Sequence, residues 1–133
     1  METIFTRLLS QEIPGVILYE DEHVFAFMDA GQVNPGHVLV ATRHPYETLM
    51  DVDEATVIAL MRLTQKMARA IDQAFQPDGI TILQANRSAG WQTVPHVHFH
   101  VVPRYKNDGA ELVWPRHDPA IEELREHAEK IVL

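Results

Sequence analysis

Cysteine is absent from this chain of 133 residues, so neither a disulfide framework nor a thiolate metal site can form. No stretch approaches the roughly 18 consecutive apolar residues that a membrane span requires. Residues 1–7 also lack the basic region followed by an apolar run that marks a secretory signal. These absences predict a cytoplasmic protein with no membrane association. The length and the hydrophobic content of 46% predict one domain over residues 1–133.

Positive charge is scarce as well. The chain has 11 Lys and Arg residues against 19 Asp and Glu residues, which gives a formal net charge of −8 at pH 7. The basic residues are scattered rather than clustered, and a negative chain repels polyanions at long range, so we expect no nucleic-acid partner. A small phosphorylated ligand stays compatible with this charge because hydrogen-bond donors act locally at a site.

The pattern of apolar residues and of Pro and Gly predicts an α+β domain with an antiparallel sheet of about five strands. Apolar residues at helical spacing predict a short N-terminal helix, one long helix and a C-terminal helix, over residues 3–10, 53–75 and 119–130. Runs of β-branched and aromatic residues predict strands over residues 16–19, 24–28, 37–42, 80–85 and 96–102. The first three strands have short connections, so they are expected to be antiparallel neighbours.

The most informative segment alternates histidine with apolar residues: His96-Val97-His98-Phe99-His100. Side chains two apart on a strand share one face, so the three imidazoles would lie together while the apolar residues pack on the core. The unperturbed pKa of imidazole, roughly 6.5, lies nearest neutrality. The three alternating histidines therefore predict a site that supplies a nucleophile, a proton donor and an anion contact. Structural or surface imidazoles are the alternative interpretation.

A metal site is the main rival, because neighbouring imidazoles bind Zn, Cu or Ni and His37 or His44 can add a ligand. No carboxylate lies between Asn86 and Arg104, although a metal-binding strand often recruits one. The sequence therefore favours chemistry without a metal or another cofactor. The loop over residues 88–93 has small and hydrogen-bonding residues that suit an anion-binding turn, and a plain turn is its alternative.

The segment from His96 to Val102 resembles the signature His-φ-His-φ-His-φ-φ, with φ apolar, of the histidine triad (HIT) family of nucleotide-binding proteins. The resemblance continues in the family's order through Ile4-Phe5, Glu12-Ile13-Pro14, Tyr19-Glu20-Asp21, Ala26-Phe27-Met28-Asp29, Pro35-Gly36-His37-Val38-Leu39-Val40, Asn86 and Ala89-Gly90-Trp91-Gln92-Thr93. It covers residues 3–104 as a core and leaves residues 105–133 as an extension. It implies a HIT-like fold, a bacterial-type nucleotide hydrolase or transferase, and a homodimer in which two protomers extend one sheet.

Residue by residue, the resemblance implies that His98 is the nucleophile. Its ring nitrogen would attack the α-phosphorus of a purine nucleotide and form a nucleotidyl-histidine, which water then cleaves. The remaining catalytic positions would contact the phosphate or the departing atom, or support the nucleophile, and they fall on His37, His96, His100, Gln92 and Thr93.

The resemblance also implies the nucleotide-binding positions. Asp29 matches a residue that accepts hydrogen bonds from ribose hydroxyls, and Asn86 matches a contact on the phosphate and ribose side. The walls of the base pocket would be apolar residues, for which burial in the core is the alternative: Ile4, Phe5, Leu8 and Phe27.

The residues do not decide between the leaving groups of two branches of the family. Asp29 favours phosphoramidates and aminoacyl-adenylates, whereas Gln92-Thr93 and Pro103-Arg104 favour dinucleoside polyphosphates. We rank a nucleoside phosphoramidase slightly ahead. A nucleotide-binding regulatory protein with incidental turnover is an alternative of another class, although His98 argues against it.

The chain also departs from relatives of this kind. Thr3 and Thr6 stand where some bacterial members have the paired cysteines of a structural zinc site, so we expect no zinc there. His44, a further ligand position of such a site, is then expected to be a surface loop histidine. Trp114 resembles a C-terminal aromatic residue that approaches the active site from the other protomer in some members, and packing on the core is its alternative.

Overall fold

The structure, a computed structural model, describes residues 1–133. Its helices are α1 (Ile4–Leu9), α2 (Glu54–Phe75) and α3 (Ile121–Glu129). Its strands are β1 (Ile17–Glu20), β2 (Val24–Met28), β3 (Val38–Thr42), β4 (Gly79–Gln84) and β5 (His98–Arg104). The α+β class, the three helices and the five strands are thereby confirmed.

All five strands form one antiparallel sheet in the order β1-β2-β3-β5-β4. The first three strands are neighbours, as their short connections predicted. The histidine strand β5 enters between β3 and β4, so Leu39 and Leu83 flank His100 on the two neighbouring strands. Hydrogen bonding on both edges makes β5 a rigid support for its side chains.

The predicted start of the histidine strand is wrong, because β5 begins at His98 and runs on to Arg104. The ladder with β3 ends where Ala41 faces His98. Beyond it, the amide of Val97 donates to the carbonyl of Tyr46 at 2.8 Å, outside any strand. His96 therefore does not share a strand face with His98 and His100.

The long helix α2 covers one face of the sheet. Asp53 caps its start by accepting from the amide of Thr56 at 3.2 Å, and Gln76 ends it in the left-handed conformation with φ 49°. Its apolar stripe packs on alternate strand residues in a core that includes Val24, Ala26, Val38, Val40, Leu60, Leu63, Ile71, Val97, Phe99 and Val101. This burial provides the main stabilisation of the sheet.

The short helix α1 lies on the opposite face, beside the imidazoles of β5. Phe5 is buried there against Phe25, Phe27 and Leu39, with the Phe5 and Phe27 ring centroids 5.1 Å apart. Thr3 caps the helix, because its hydroxyl accepts from the amide of Thr6 at 3.3 Å. A helix of 6 residues is too short to be stable alone, so this packing keeps it in place.

Residues 105–133 leave the sheet through a turn that Asp108 holds together. Its carboxylate accepts from Nε of Arg104 at 2.7 Å and from Nδ2 of Asn34 at 2.9 Å. No residue of α3 is buried. None of the helices combines the length and the apolar character that crossing a membrane requires.

Candidate active site

A cavity of about 260 Å³ opens between α1 and the sheet. Both imidazoles of β5 reach it, and the apolar side chains of α1 and β2 form its walls. The predicted site residues that line it are Ile4, Phe5, Leu8, Phe27, Asp29, Thr93, His98 and His100. Phe5 and His98 are far apart in the sequence, yet their rings are in edge contact with centroids 4.9 Å apart.

His98 is held in one orientation by the chain just before it. Its Nδ1 lies 2.7 Å from the carbonyl oxygen of His96, which can only accept, so Nδ1 carries the hydrogen. Nε2 therefore keeps its lone pair. The residue is only 4% exposed, and this burial lowers the pKa of His98 below its usual value. A neutral imidazole with a free nitrogen at a cavity has the properties of a nucleophile.

His96 is completely buried and uses both ring nitrogens inside the protein. Nε2 lies 2.6 Å from the carbonyl oxygen of Thr42, and Nδ1 lies 2.6 Å from the hydroxyl of Thr3. Burial lowers the pKa of His96 to about 4, so the ring is neutral near pH 7. The side chain does not line the cavity, and it connects the cap of α1 to the end of β3.

The two threonines at the start of α1 bond to each other, and Thr3 also bonds to His96. The hydroxyl of Thr6 donates to the carbonyl of Thr3 at 2.9 Å and accepts from its amide at 2.8 Å. His44 is exposed in a loop, and its ring contacts Tyr46 with centroids 4.6 Å apart. Hydroxyl groups engaged in a helix cap do not form a zinc-binding set with His44.

His37 joins the site from the start of β3. Its Nε2 lies 3.0 Å from Nδ1 of His100 and 3.3 Å from Oδ2 of Asp29. Burial lowers the pKa of His37, and Asp29 opposes this shift. The pKa of His100 falls to about 4, first through burial and then through its two histidine neighbours. His37, His98 and His100 are therefore all neutral near pH 7.

Asp29, His37 and His100 are the one group whose ligand atoms are close enough to hold a metal, within 4.8 Å of one another. The distances between these ligand atoms fit a metal ion, but the hydrogen bonds around His37 do not fit metal binding. The amide of Val33 donates to Nδ1 of His37 at 3.2 Å, so the ring hydrogen lies on Nε2, the atom a metal would need. Metal-bound imidazoles usually donate their second nitrogen to an acceptor, and here that nitrogen faces a donor.

The loop before β5 uses two of the predicted contact residues to hold itself together. The carboxamide of Gln92 accepts from the amide of Arg87 and donates to the carbonyl of Glu47, each at 2.6 Å. Asn86 accepts from the amide of Leu49 at 2.7 Å. Neither side chain lines the cavity, whereas Thr93 does. Their contacts with a nucleotide stay predictions.

Two residues near the site were not identified from the sequence. Trp91, with φ 78°, stacks on Trp114 at a centroid distance of 5.2 Å, so Trp114 packs on an exposed loop rather than on the core. Gln32 bonds the loop between β2 and β3 through its side chain. No local signal marks Gln32, because its partners become visible only when the loop is folded.

Cavity volume does not identify this site. The largest cavity, about 550 Å³, lies on the α2 side of the sheet between Tyr19 and Arg62 and contains no triad member. A cavity of about 340 Å³ adjoins the candidate site and shares Asp29, His37 and His100 with it. We assign the site by its chemistry, because perturbed imidazoles converge there.

Comparisons with known proteins agree with this geometry. A model of the HIT domain matches residues 10–107. The chain is 38% identical over 115 residues to Protein hit of Bacillus subtilis, covering 86% of this chain and 79% of that protein. It is 29% identical over 132 residues to adenosine 5′-monophosphoramidase hnt1 of Schizosaccharomyces pombe, covering 98% and 96% of the two chains. A crystal structure of a HIT-family member from Bacillus subtilis matches with a TM-score of 0.91 and 34% identity, covering 98% and 94%.

Proposed function

The chain belongs to the HIT family, as the histidine signature predicted, and on this premise we propose that it hydrolyses purine nucleoside 5′-phosphate derivatives at the α-phosphorus. A nucleotidyl-histidine on His98 is the proposed intermediate. One observation carries the proposal: Nδ1 of His98 donates to the carbonyl of His96, which leaves a nucleophilic Nε2 at a cavity with apolar walls. The same family membership supports the HIT-like fold.

In the first step, the Nε2 lone pair of His98 forms a bond to the α-phosphorus while the bond to the leaving group breaks. The leaving group keeps that electron pair and, if it is an amine, takes a proton from solvent. Water then attacks phosphorus, the P–Nε2 bond returns its pair to His98, and the nucleoside monophosphate departs with one proton released to solvent. In the proposed mechanism, His100 and Thr93, which line the cavity, donate hydrogen bonds to phosphoryl oxygens as negative charge develops.

The rest of the cavity fits a nucleoside. Phe5 and Phe27 offer aromatic surface for a purine base. Asp29 stands at the same cavity with a carboxylate that accepts hydrogen bonds, which suits ribose hydroxyls. Its side chain is 22% exposed, so a ligand can reach it.

We propose a phosphoramidate as the preferred substrate class. The fission yeast relative with a monophosphoramidase name aligns with 98% of this chain. Arg104, which favoured polyphosphates in the sequence, donates instead to Asp108, Thr81 and the carbonyl of Ala110. A polyphosphate tail therefore finds no free guanidinium at this position. Hydrolysis of dinucleoside polyphosphates is the alternative activity.

Turnover measurements test the proposed chemistry. Adenosine 5′-phosphoramidate and diadenosine tri- and tetraphosphate are offered to EDTA-treated wild type and to His98→Ala. We expect AMP release by the wild type only, fastest from the phosphoramidate, and an adenylyl adduct on the wild type in rapid-quench mass spectra. A wild type inert on all three substrates would favour a regulatory nucleotide-binding protein. Loss of activity with EDTA that returns with zinc would favour the metal enzyme.

We also propose that the protein works as a cytoplasmic homodimer, with residues 3–104 as the catalytic core and residues 105–133 as an extension. The outer edge of β4 has no strand partner. Ile82 on that edge and Met61 on α2 are 47% and 52% exposed and line one apolar groove. Sedimentation equilibrium should give twice the mass of the chain, and Ile82→Arg should yield monomers. A wild-type monomer at all concentrations would contradict this assembly.

A further inference from the structure

In the loop between β2 and β3, the side-chain carboxamide of Gln32 makes four hydrogen bonds to the backbone. Oε1 of Gln32 accepts from the amides of Gly36 and His37 at 2.9 and 3.0 Å. Its Nε2 donates to the carbonyls of Asp29 and His37 at 2.5 and 2.8 Å. Both lone pairs and both hydrogens of the group are therefore used. Gln32 is an exposed residue, so this bonding is not imposed by burial.

The next residue, Val33, turns its amide toward His37. The amide nitrogen lies 3.2 Å from Nδ1 of His37, and an amide hydrogen can only be donated. Nδ1 must then carry a lone pair, which places the hydrogen of the neutral ring on Nε2. That hydrogen has His100 Nδ1 at 3.0 Å and Asp29 Oδ2 at 3.3 Å as acceptors.

The same logic extends to His100. Because Nδ1 of His100 accepts from His37, the hydrogen of the neutral His100 ring lies on Nε2. His98 has the opposite arrangement, since its Nδ1 donates to the carbonyl of His96. The two rings of β5, with centroids 5.0 Å apart, thus present a lone pair from His98 and a hydrogen from His100. Attack on a phosphate needs both groups: the lone pair bonds to phosphorus, and the hydrogen is donated to a phosphoryl oxygen.

We propose that Gln32 is a positioning residue that fixes the loop amide of Val33 against His37 and thereby keeps the hydrogen of His100 on Nε2. The consequence for catalysis rests on the proposed function. If His100 held its hydrogen on Nδ1, the Nε2 lone pair would repel the phosphoryl oxygens. The neutral tautomers of imidazole are otherwise selected only by their partners, so the loop determines which one is present.

Gln32→Glu is the sharpest variant, because it keeps the size of the side chain and both acceptor contacts but loses the two donations. A carboxylate would face the carbonyls of Asp29 and His37 and displace the loop. The matched control is Gln73→Glu, the same change at an exposed position of α2. Two-bond ¹H–¹⁵N correlation spectra of the imidazoles report the tautomers directly, without substrate.

In the wild type and in Gln73→Glu we expect His37 and His100 with hydrogen on Nε2 and His98 with hydrogen on Nδ1. In Gln32→Glu, His37 and His100 should become tautomer mixtures while His98 is unchanged. The kcat for adenosine 5′-phosphoramidate should fall roughly 10-fold or more, since positioned hydrogen bonding is lost. KM should change little, because the base pocket is untouched.

A wild-type His100 with hydrogen on Nδ1 would overturn the proposal, and so would an unchanged tautomer in Gln32→Glu despite a fall in kcat. If Gln32→Glu does not fold, Gln32→Ala replaces it, and His37→Gln and His37→Ala test the contact of His37 with His100. The amide of Gln can still donate to His100, so only His37→Ala should release the His100 tautomer. The spectra need no turnover, so an inactive wild type with the expected tautomers would refute the proposed function and leave this inference standing.

Discussion

The two faces of the sheet show how one strand serves both stability and chemistry. On the α2 face, β5 contributes Phe99 and Val101 to the buried hydrophobic cluster under α2. On the α1 face, the same strand contributes His98 and His100 beside the aromatic cluster of Phe5. Burial stabilises the first face, whereas on the second it keeps imidazoles neutral at the expense of stability in acid. A strand that alternates residue types can meet both demands because its side chains alternate between faces.

The largest expected effect is a loss of activity from a substitution on the histidine face of the sheet. His98→Ala should lower turnover of adenosine 5′-phosphoramidate by at least roughly 1000-fold, because removing a nucleophile removes the covalent route. The unfolding midpoint should fall little, since the lost ring also had a burial cost. A variant that keeps a tenth of the wild-type rate would place the nucleophile elsewhere.

The complementary change on the other face should affect stability. Leu60 is 1% exposed in the α2 core, and Leu60→Ala should lower the free energy of unfolding by roughly 2 to 5 kcal/mol. Urea denaturation measures this loss. Turnover per folded molecule should stay near wild type, and a loss of kcat equal to that of His98→Ala would show that the faces are not separable.

Acid should destabilise the whole domain through the buried imidazoles of the histidine face. The pKa of His96 and of His100 is about 4 in the folded protein, below the unfolded value of roughly 6.5. The unfolded state therefore binds more protons between these values, and stability falls as pH drops from about 6.5 to about 4. For His96 the full loss is about 3 kcal/mol. Urea midpoints across this range test the slope, and a pH-independent midpoint would contradict it.

The smallest expected effect concerns the wall of the cavity. Thr3→Val removes the cap of α1 and leaves the buried Nδ1 of His96 without a partner, so stability should fall by roughly 1 to 3 kcal/mol. KM for the phosphoramidate should rise, because α1 forms the pocket wall, while kcat changes little. Glu2→Ala, one residue away and exposed, is the control. A change in kcat alone would assign Thr3 a different role.

Local patterns predicted much of this fold. The stripe of α2 and its Asp53 cap were recognisable because helical spacing and capping depend on residues a few positions apart. The apolar walls at Phe5 and Phe27 were named from a family resemblance, and the structure places both at the cavity. Asn86 and Gln92 were named in the same way, yet their carboxamides are engaged within the loops. A resemblance transfers residue identities, whereas hydrogen-bond partners depend on the folded loop.

The amino-acid order alone was sufficient for the class of fold and for the alternation of histidine and apolar residues along β5, because these follow from periodicity. Tertiary structure decided that β5 lies between β3 and β4 and that His96 leaves the strand. It also decided which nitrogen of each ring carries hydrogen, since the amide of Val33 and the carbonyls of His96 and Thr42 supply the partners. A tautomer depends on the single group that faces a nitrogen, and that group is brought there only by folding.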